Sequence, residues 1–179
     1  MSTMGESALS VRAAGAEDMP AVAAIFEHYV KETVISFELD PPSVEDWSEK
    51  RRDLGAAGWP FLAAILGGEV IGFAYVAAWR NKPAYCHTVE NTIYLAPGHV
   101  GRGYGQRLLA ALLTHAREAG ARQVIAVIAE TGSQASMALH QRAGFRDAGR
   151  LQDVGFKHDQ WVDVRVMQLA LGDHEARAI

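Results

Sequence analysis

The feature that most constrains this chain is the passage from Thr88 to Gly120, where a β-branched, apolar run gives way to a glycine-rich turn and then to a long amphipathic pattern. The run TVENTIYL, from Thr88 to Leu95, predicts a strand, and it carries a single carboxylate, Glu90, inside it. Pro97 ends the strand, and Gly98, Gly101, Gly103 and Gly105 crowd into the turn that follows. Leu108, Leu109, Leu112, Leu113 and Ala116 then recur at helical spacing, so the glycines stand where a helix begins. The first N–H groups of a helix have no partner within it, and with the helix dipole they can hold a phosphate-bearing ligand. Glycine suits such a turn because a side chain would block the approach to the backbone.

Several function classes are disfavoured by composition. Apolar residues make up 49% of the chain and charged residues 21%, the balance of an ordinary globular protein. With 17 Lys and Arg against 21 Asp and Glu, the formal charge of -4 gives no general basic footprint for nucleic acid. The single Cys86 has no cysteine with which to form an internal disulfide or a thiolate metal site; a small buried hydrophobe in a reducing compartment is the simpler expectation. The opening MSTMGESALS lacks a basic patch followed by an apolar stretch, and no run is long enough to span a bilayer. A cytoplasmic location is expected, with no membrane partner.

The residues 179 in number fit one domain, expected over 8-170 between a flexible leader at 1-7 and a tail at 171-179. A short strand is expected at Leu9 to Arg12. A helix opened by Glu17 and Asp18 follows, with Met19, Val22, Ile25, Phe26 and Tyr29 on one face, fading by Glu32. The segment 33–42 is irregular, and Ser43 caps a second helix through Trp47 toward Leu54. Phe61 to Leu66 and Glu69 to Trp79 read as strands joined by Gly67-Gly68, a hairpin signal. After a polar turn at Arg80 to Pro83, Ala84 to Leu95 is expected as a third strand. Helix 103–119 and the buried-looking strand Gln123 to Ala129 complete a crossover, which makes the strands on either side of it parallel. Ser133 or Ser136 begins a shorter helix through His140. Phe145 opens another strand, Gly155 marks the next bend, and Trp161 to Leu169 forms the last strand.

That order resembles the GNAT superfamily of N-acetyltransferases, and within it the branch that acetylates phosphinothricin, methionine sulfone or methionine sulfoximine. The resemblance covers nearly the whole chain and is carried by four blocks in family order: AYCHTVENTIYL from 84, GRGYGQRLL from 101, ASMALHQRAGF from 135 and GFKHDQWVDV from 155. It implies an α/β fold, an α+β mixed sheet with a splayed centre, in one acyl-CoA N-acyltransferase domain. The cofactor it implies is acetyl-CoA as acetyl donor, with no metal. A nucleotide P-loop is disfavoured because no GKS or GKT follows the turn, and a dinucleotide fold because its chain-order start and ribose-binding acid are missing.

The same resemblance implies roles for individual residues. The pyrophosphate maps to Gly101, Arg102, Gly103, Tyr104, Gly105 and Gln106. The superfamily's usual Gln or Arg three residues before the central glycine is Val100 here. The pantetheine arm enters where two strands part, with a β-bulge near Asn91 to Tyr94 as the expected device. The thioester carbonyl would accept a backbone N–H from among Ile93, Tyr94 and Leu95. Ser133 stands where the superfamily usually has Asn and can still cap the helix or donate to the cofactor arm.

Glu90 is the general-base candidate, since burial can raise a carboxylate into a useful range; a structural ion pair with a cation such as Lys82 is the alternative. His140 occupies the place of a superfamily tyrosine acid and can donate to the departing thiolate; a core histidine satisfied by a backbone carbonyl is its alternative. For the substrate, Arg80 and Lys82 are candidates to hold a carboxylate, and Phe37, Tyr85 and Trp161 to wall a pocket. Lys157 and His158 read as hairpin residues near the same pocket. The resemblance further implies a homodimer, with the apolar strand around Trp161 as a surface for pairing. Two other readings stay open: a GNAT enzyme acting on another small amine or a peptide N-terminus, and a CoA-binding sensor without catalysis.

Overall fold

The computed structural model describes residues 8–131 and 134–172 of the chain. Ser133, the whole expected leader at 1–7 and most of the expected tail are outside the described residues. The strands are β1 (Ser10–Ala13), β2 (Phe61–Leu66), β3 (Glu69–Ala78), β4 (Thr88–Leu95), β5 (Gln123–Ala129), β6 (Arg146–Lys157) and β7 (Gln160–Ala170). The helices are α1 (Met19–Glu32), α2 (Val44–Ala56), α3 (Tyr104–Glu118) and α4 (Ala135–Arg142). All the strands join one mixed sheet in the order β1-β2-β3-β4-β5-β7-β6. Only β4 and β5 run parallel, because α3 crosses over between them.

Alternation along the inner strands feeds two apolar layers. On one face Leu62, Ala64, Ile71, Ala74, Val76 and Val89 pack with Leu108, Leu109 and Leu112 of α3. On the other, Phe61, Ala63, Phe73 and Tyr75 pack with Val22, Phe26 and Val30 of α1 and Trp47 and Leu54 of α2. Each fully buried leucine of α3 contributes about 1.5–3 kcal/mol by leaving water. Trp47 sits in this second layer, 5.2 Å from both the Phe26 and Phe73 ring centroids. Ser43 caps α2 by accepting from the Asp46 backbone, while the Asp46 carboxylate takes the Ser43 N–H.

The Gly67-Gly68 hairpin forms, with φ of 61° and 87° and Leu66 paired to Glu69, the backbone a two-residue turn requires. Four expectations are corrected. The strand expected from Ala84 starts at Thr88, because Pro83–Tyr85 forms a 3-10 turn. Cys86, expected to be buried, follows that turn and is exposed. The bend expected at Gly155 falls instead at His158 and Asp159, whose φ values of 51° and 57° make the hairpin turn, while Gly155 stays within β6.

The fourth concerns the centre of the sheet. No bulge interrupts β4 near Asn91 to Tyr94: its register with β3 is continuous from Val89↔Ala78 to Leu95↔Gly72. The splay arises on the other side. β5 pairs with β4 only over Thr88, Val89 and Glu90, then diverges while β4 continues for five more residues. β5 remains paired with β7 along its whole length, so β5 follows β7 away from β4.

Candidate active site

The splay leaves one edge of β4 without a strand partner. Ala96 N–H donates to Ile71 O at 2.8 Å and Trp79 N–H to Thr88 O at 3.1 Å, which sets the even-numbered backbones of β4 toward β3. Ile93 and Leu95 therefore direct their N–H groups toward the gap, whereas Tyr94 directs its own to β3. The Tyr94 side chain is tied elsewhere: loss of water where it packs against Phe26 and Phe73 pushes its hydroxyl pKa up, opposed by its hydrogen bond with Ser36.

The glycine turn stands at the open end of the gap. Gly101 and Gly103 have φ of 80° and 81°, and a Cβ on either would meet no protein atom within 4 Å. Gly103 is the N-cap of α3 and no side chain caps the helix there. The N–H groups of Tyr104, Gly105 and Gln106 thus face an open, uncapped cradle whose dipole favours an anion. Gly105 is buried, and its Cα is close to Leu95 and Leu139, fastening the start of α3 to the ends of β4 and α4. Arg102 is exposed beside the turn. The residues present fit a pyrophosphate.

Glu90 is at the last β4–β5 pair, opposite Ile125. Among the described residues its carboxylate has no hydrogen bond or ion pair, so the expected alternative of a pair with Lys82 is not what forms. Burial raises its pKa above the ordinary carboxylate value, opposed by the charges of Arg80 and Lys50. A carboxylate that is half-buried, unpaired and shifted upward is suited to taking a proton from an amine.

Asn91 and His140 occupy the opposite face of β4. Asn91 Nδ2 is 3.0 Å from His140 Nε2, and His140 Nδ1 is 2.8 Å from the Ser136 carbonyl. His140 is 2% exposed and its ring meets Phe145 edge-on at 4.9 Å. Burial pushes its pKa below the ordinary value, against the pull of the Ser136 carbonyl. Both ring nitrogens are engaged, so neither points free into the gap.

Of the residues expected to meet the substrate, Arg80, Lys82 and Tyr85 line one open cleft of about 350 Å³ with Asn81. Arg80 stacks over Trp79, its guanidinium carbon 4.1 Å from the ring centroid. Phe37 is apart from that cleft: its ring covers Gly155, where a Cβ would come within 2.4 Å of it. Trp161 is 64% exposed and packs on Phe156 at the β6–β7 hairpin instead of walling the cleft. Lys157 is buried and donates to the Ser36 carbonyl at 2.7 Å, so the segment 33–42 is fastened between β4 and β6. Sequence reasoning did not single out the buried amide of Asn91 or the clasp made by Lys157. The amide directly after Glu90 in the strand TVENTIYL was the available signal for the first.

A model of the acetyltransferase (GNAT) family matches residues 22–145, more than half of the chain. This chain belongs to the GNAT acetyltransferase family. Among GNAT relatives, the phosphinothricin N-acetyltransferase of Alcaligenes faecalis is 36% identical over 94% of this chain and 85% of its own length. An L-methionine sulfoximine/L-methionine sulfone acetyltransferase of Salmonella typhimurium is 33% identical, covering 94% of this chain and 98% of its own. A GNAT superfamily phosphinothricin acetyltransferase from Sinorhizobium meliloti, solved in complex with AcCoA, superposes with a TM-score of 0.90 at 36% identity, covering 95% and 92% of the two chains. The mixed sheet and crossover described above are thus the GNAT fold, as the four sequence blocks implied.

Proposed function

We propose that this protein transfers an acetyl group from acetyl-CoA to the primary amine of a small amino-acid-like acceptor, of the kind represented by phosphinothricin, methionine sulfone and methionine sulfoximine. The observation that carries the reading is the placement of an unpaired, half-buried Glu90 at the point where β4 and β5 part, with the uncapped α3 cradle at the far end of the same gap. The relatives' acceptors and the AcCoA complex of the Sinorhizobium enzyme support it.

Acetyl-CoA supplies an activated thioester. The amides of Tyr104, Gly105 and Gln106 hold its pyrophosphate. Either Ile93 or Leu95 offers an N–H to the thioester oxygen, where negative charge develops as the amine attacks. Glu90 takes the proton that the amine must lose, directly or through a water. Arg80, with Lys82 beside it, holds the acceptor's carboxylate at the cleft it shares with Tyr85. The relatives' named substrates, phosphinothricin and methionine sulfoximine or sulfone, favour a small acceptor over a polypeptide.

The reading includes a homodimer. Leu151, Val154, Phe156 and Trp161 are each at least half exposed along the β6–β7 hairpin, an apolar surface of the sort that pairing covers. Sedimentation at micromolar protein should give twice the chain mass; a concentration-independent monomer would reject pairing.

An assay of acetyl-CoA-dependent thiol release over phosphinothricin, methionine sulfone, methionine sulfoximine and a set of peptide amines tests the function. Release with one or more of the amino-acid analogues and none with the peptides is expected. Release confined to peptide amines would overturn the acceptor class, and no release with any acceptor would overturn the enzyme.

A further inference from the structure

Asn91 is the first residue of β4 beyond its last pair with β5, and it is 7% exposed. Its orientation follows from a chain of hydrogen bonds that begins on α4. The Ser136 carbonyl can only accept, so His140 must carry its hydrogen on Nδ1. In the neutral ring Nε2 is then a lone pair, and the group 3.0 Å away must donate. That group is therefore the Asn91 amide nitrogen. The amide oxygen is turned away from α4, buried, and without a hydrogen-bond partner among the described residues.

A buried amide oxygen held in a fixed direction and left without a donor is unusual in a folded protein, where such groups are almost always satisfied. It is also specific in what it can recognise, because it accepts and cannot give. Two kinds of N–H donor enter this gap in the reaction proposed above. The attacking amine comes to Glu90, which is on the other face of β4. The acyl donor's arm lies along the unpaired edge, and its amide nearest the thioester sulfur carries an N–H.

We infer that the Asn91 side-chain oxygen accepts a hydrogen bond from the amide N–H next to the thioester sulfur of acetyl-CoA, and that His140 is the positioning residue that keeps this oxygen turned toward the gap. This rests on acetyl-CoA being the acyl donor. It assigns to Asn91 the selection of the donor's arm, on the face of the strand opposite the base, and to His140 an effect that reaches the donor through Asn91.

The test compares acetyl-CoA with an analogue whose amide next to the sulfur is replaced by an ester, which keeps the shape and cannot donate. Affinity and kcat/KM are measured for both donors with the wild type and with Asn91→Leu. The wild type should favour the amide donor by roughly tenfold, the scale of one hydrogen bond to a buried acceptor. Asn91→Leu should lose that preference while treating the ester about as the wild type does. Asn91→Ser, which keeps a hydroxyl for His140 but has less reach, provides the same comparison should the leucine variant fold poorly. His140→Leu should erode the preference in the same direction. Equal losses with both donors would mark Asn91 as structural only and overturn the inference, as would a wild type indifferent to the ester. A wild type that binds neither donor overturns the acetyl-CoA reading itself, a result distinct from binding without preference.

Discussion

Glu90 and His140 stand on opposite faces of β4: Glu90 feels the charges of Arg80 and Lys50, while His140 is hydrogen-bonded to the neighbouring residue, Asn91, on the α4 side. One-residue alternation in a strand produces this division. The carboxylate and the imidazole are therefore separated by the strand itself, and the gap between β4 and β5 is the place where groups on both faces can meet one ligand.

The two groups shift stability with pH in different windows. Glu90 has a raised folded pKa, so the unfolded chain ionises first as pH rises, and the wild type loses stability between the ordinary carboxylate range and the raised value. Glu90→Gln should equal the wild type in acid and exceed it at neutral pH. His140 has a lowered folded pKa, so the unfolded chain protonates first and stability falls as pH drops below about 6.5. His140→Gln should remove that part of the slope. Denaturant midpoints across pH check both, and profiles parallel to the wild type for both variants would refute the assigned environments.

At the turn, Gly103 has a positive φ and open space where a Cβ would go. Gly103→Val should cost about 1 kcal/mol of stability through backbone strain and weaken acetyl-CoA binding by a further factor on the order of tenfold per folded molecule, by filling the cradle. Calorimetric titration corrected for folded fraction separates the two. Unchanged affinity of the folded fraction would take the pyrophosphate away from this turn.

Arg80 lines the cleft it shares with Lys82 and Tyr85 without an ion-pair partner among the described residues, held by Trp79 through its ring and carbonyl. Arg80→Ala should raise the KM for an amino-acid acceptor by roughly ten- to a hundredfold, the effect expected of losing a charged hydrogen bond, and leave the KM for acetyl-CoA near its starting value. A variant in which only the acetyl-CoA KM rises would place Arg80 on the donor side.

Much of this arrangement was legible in the sequence where local chemistry and tertiary fold agree. The Gly67-Gly68 hairpin, the glycines before α3 and the crossover to β5 each follow from residues that permit few alternatives. The misplaced turn at Gly155 shows the limit. Glycine is there for the approach of the Phe37 ring from a segment more than a hundred residues earlier, and the actual turn uses His158 and Asp159 in left-handed conformations. The splay was anticipated and its cause was not, because it depends on β5 following β7, a pairing between strands separated by α4 and β6. Asn91 escaped notice for the same reason. Its meaning appears only when α4 brings Ser136 and His140 to it.

The central claim is that Glu90 is the base, and Glu90→Gln tests it most directly. The amide keeps the shape and cannot take the proton, so the fold and acetyl-CoA affinity should be preserved while turnover falls by roughly 10²–10⁴-fold. Rates are measured over pH with saturating acetyl-CoA and graded acceptor, with non-enzymatic transfer subtracted and stability followed in parallel. The account predicts a loss in the chemical step that persists at saturating acceptor and the disappearance of the wild type's acidic limb. Turnover near the wild-type value at every pH would contradict it and return Glu90 to a structural role at the splay.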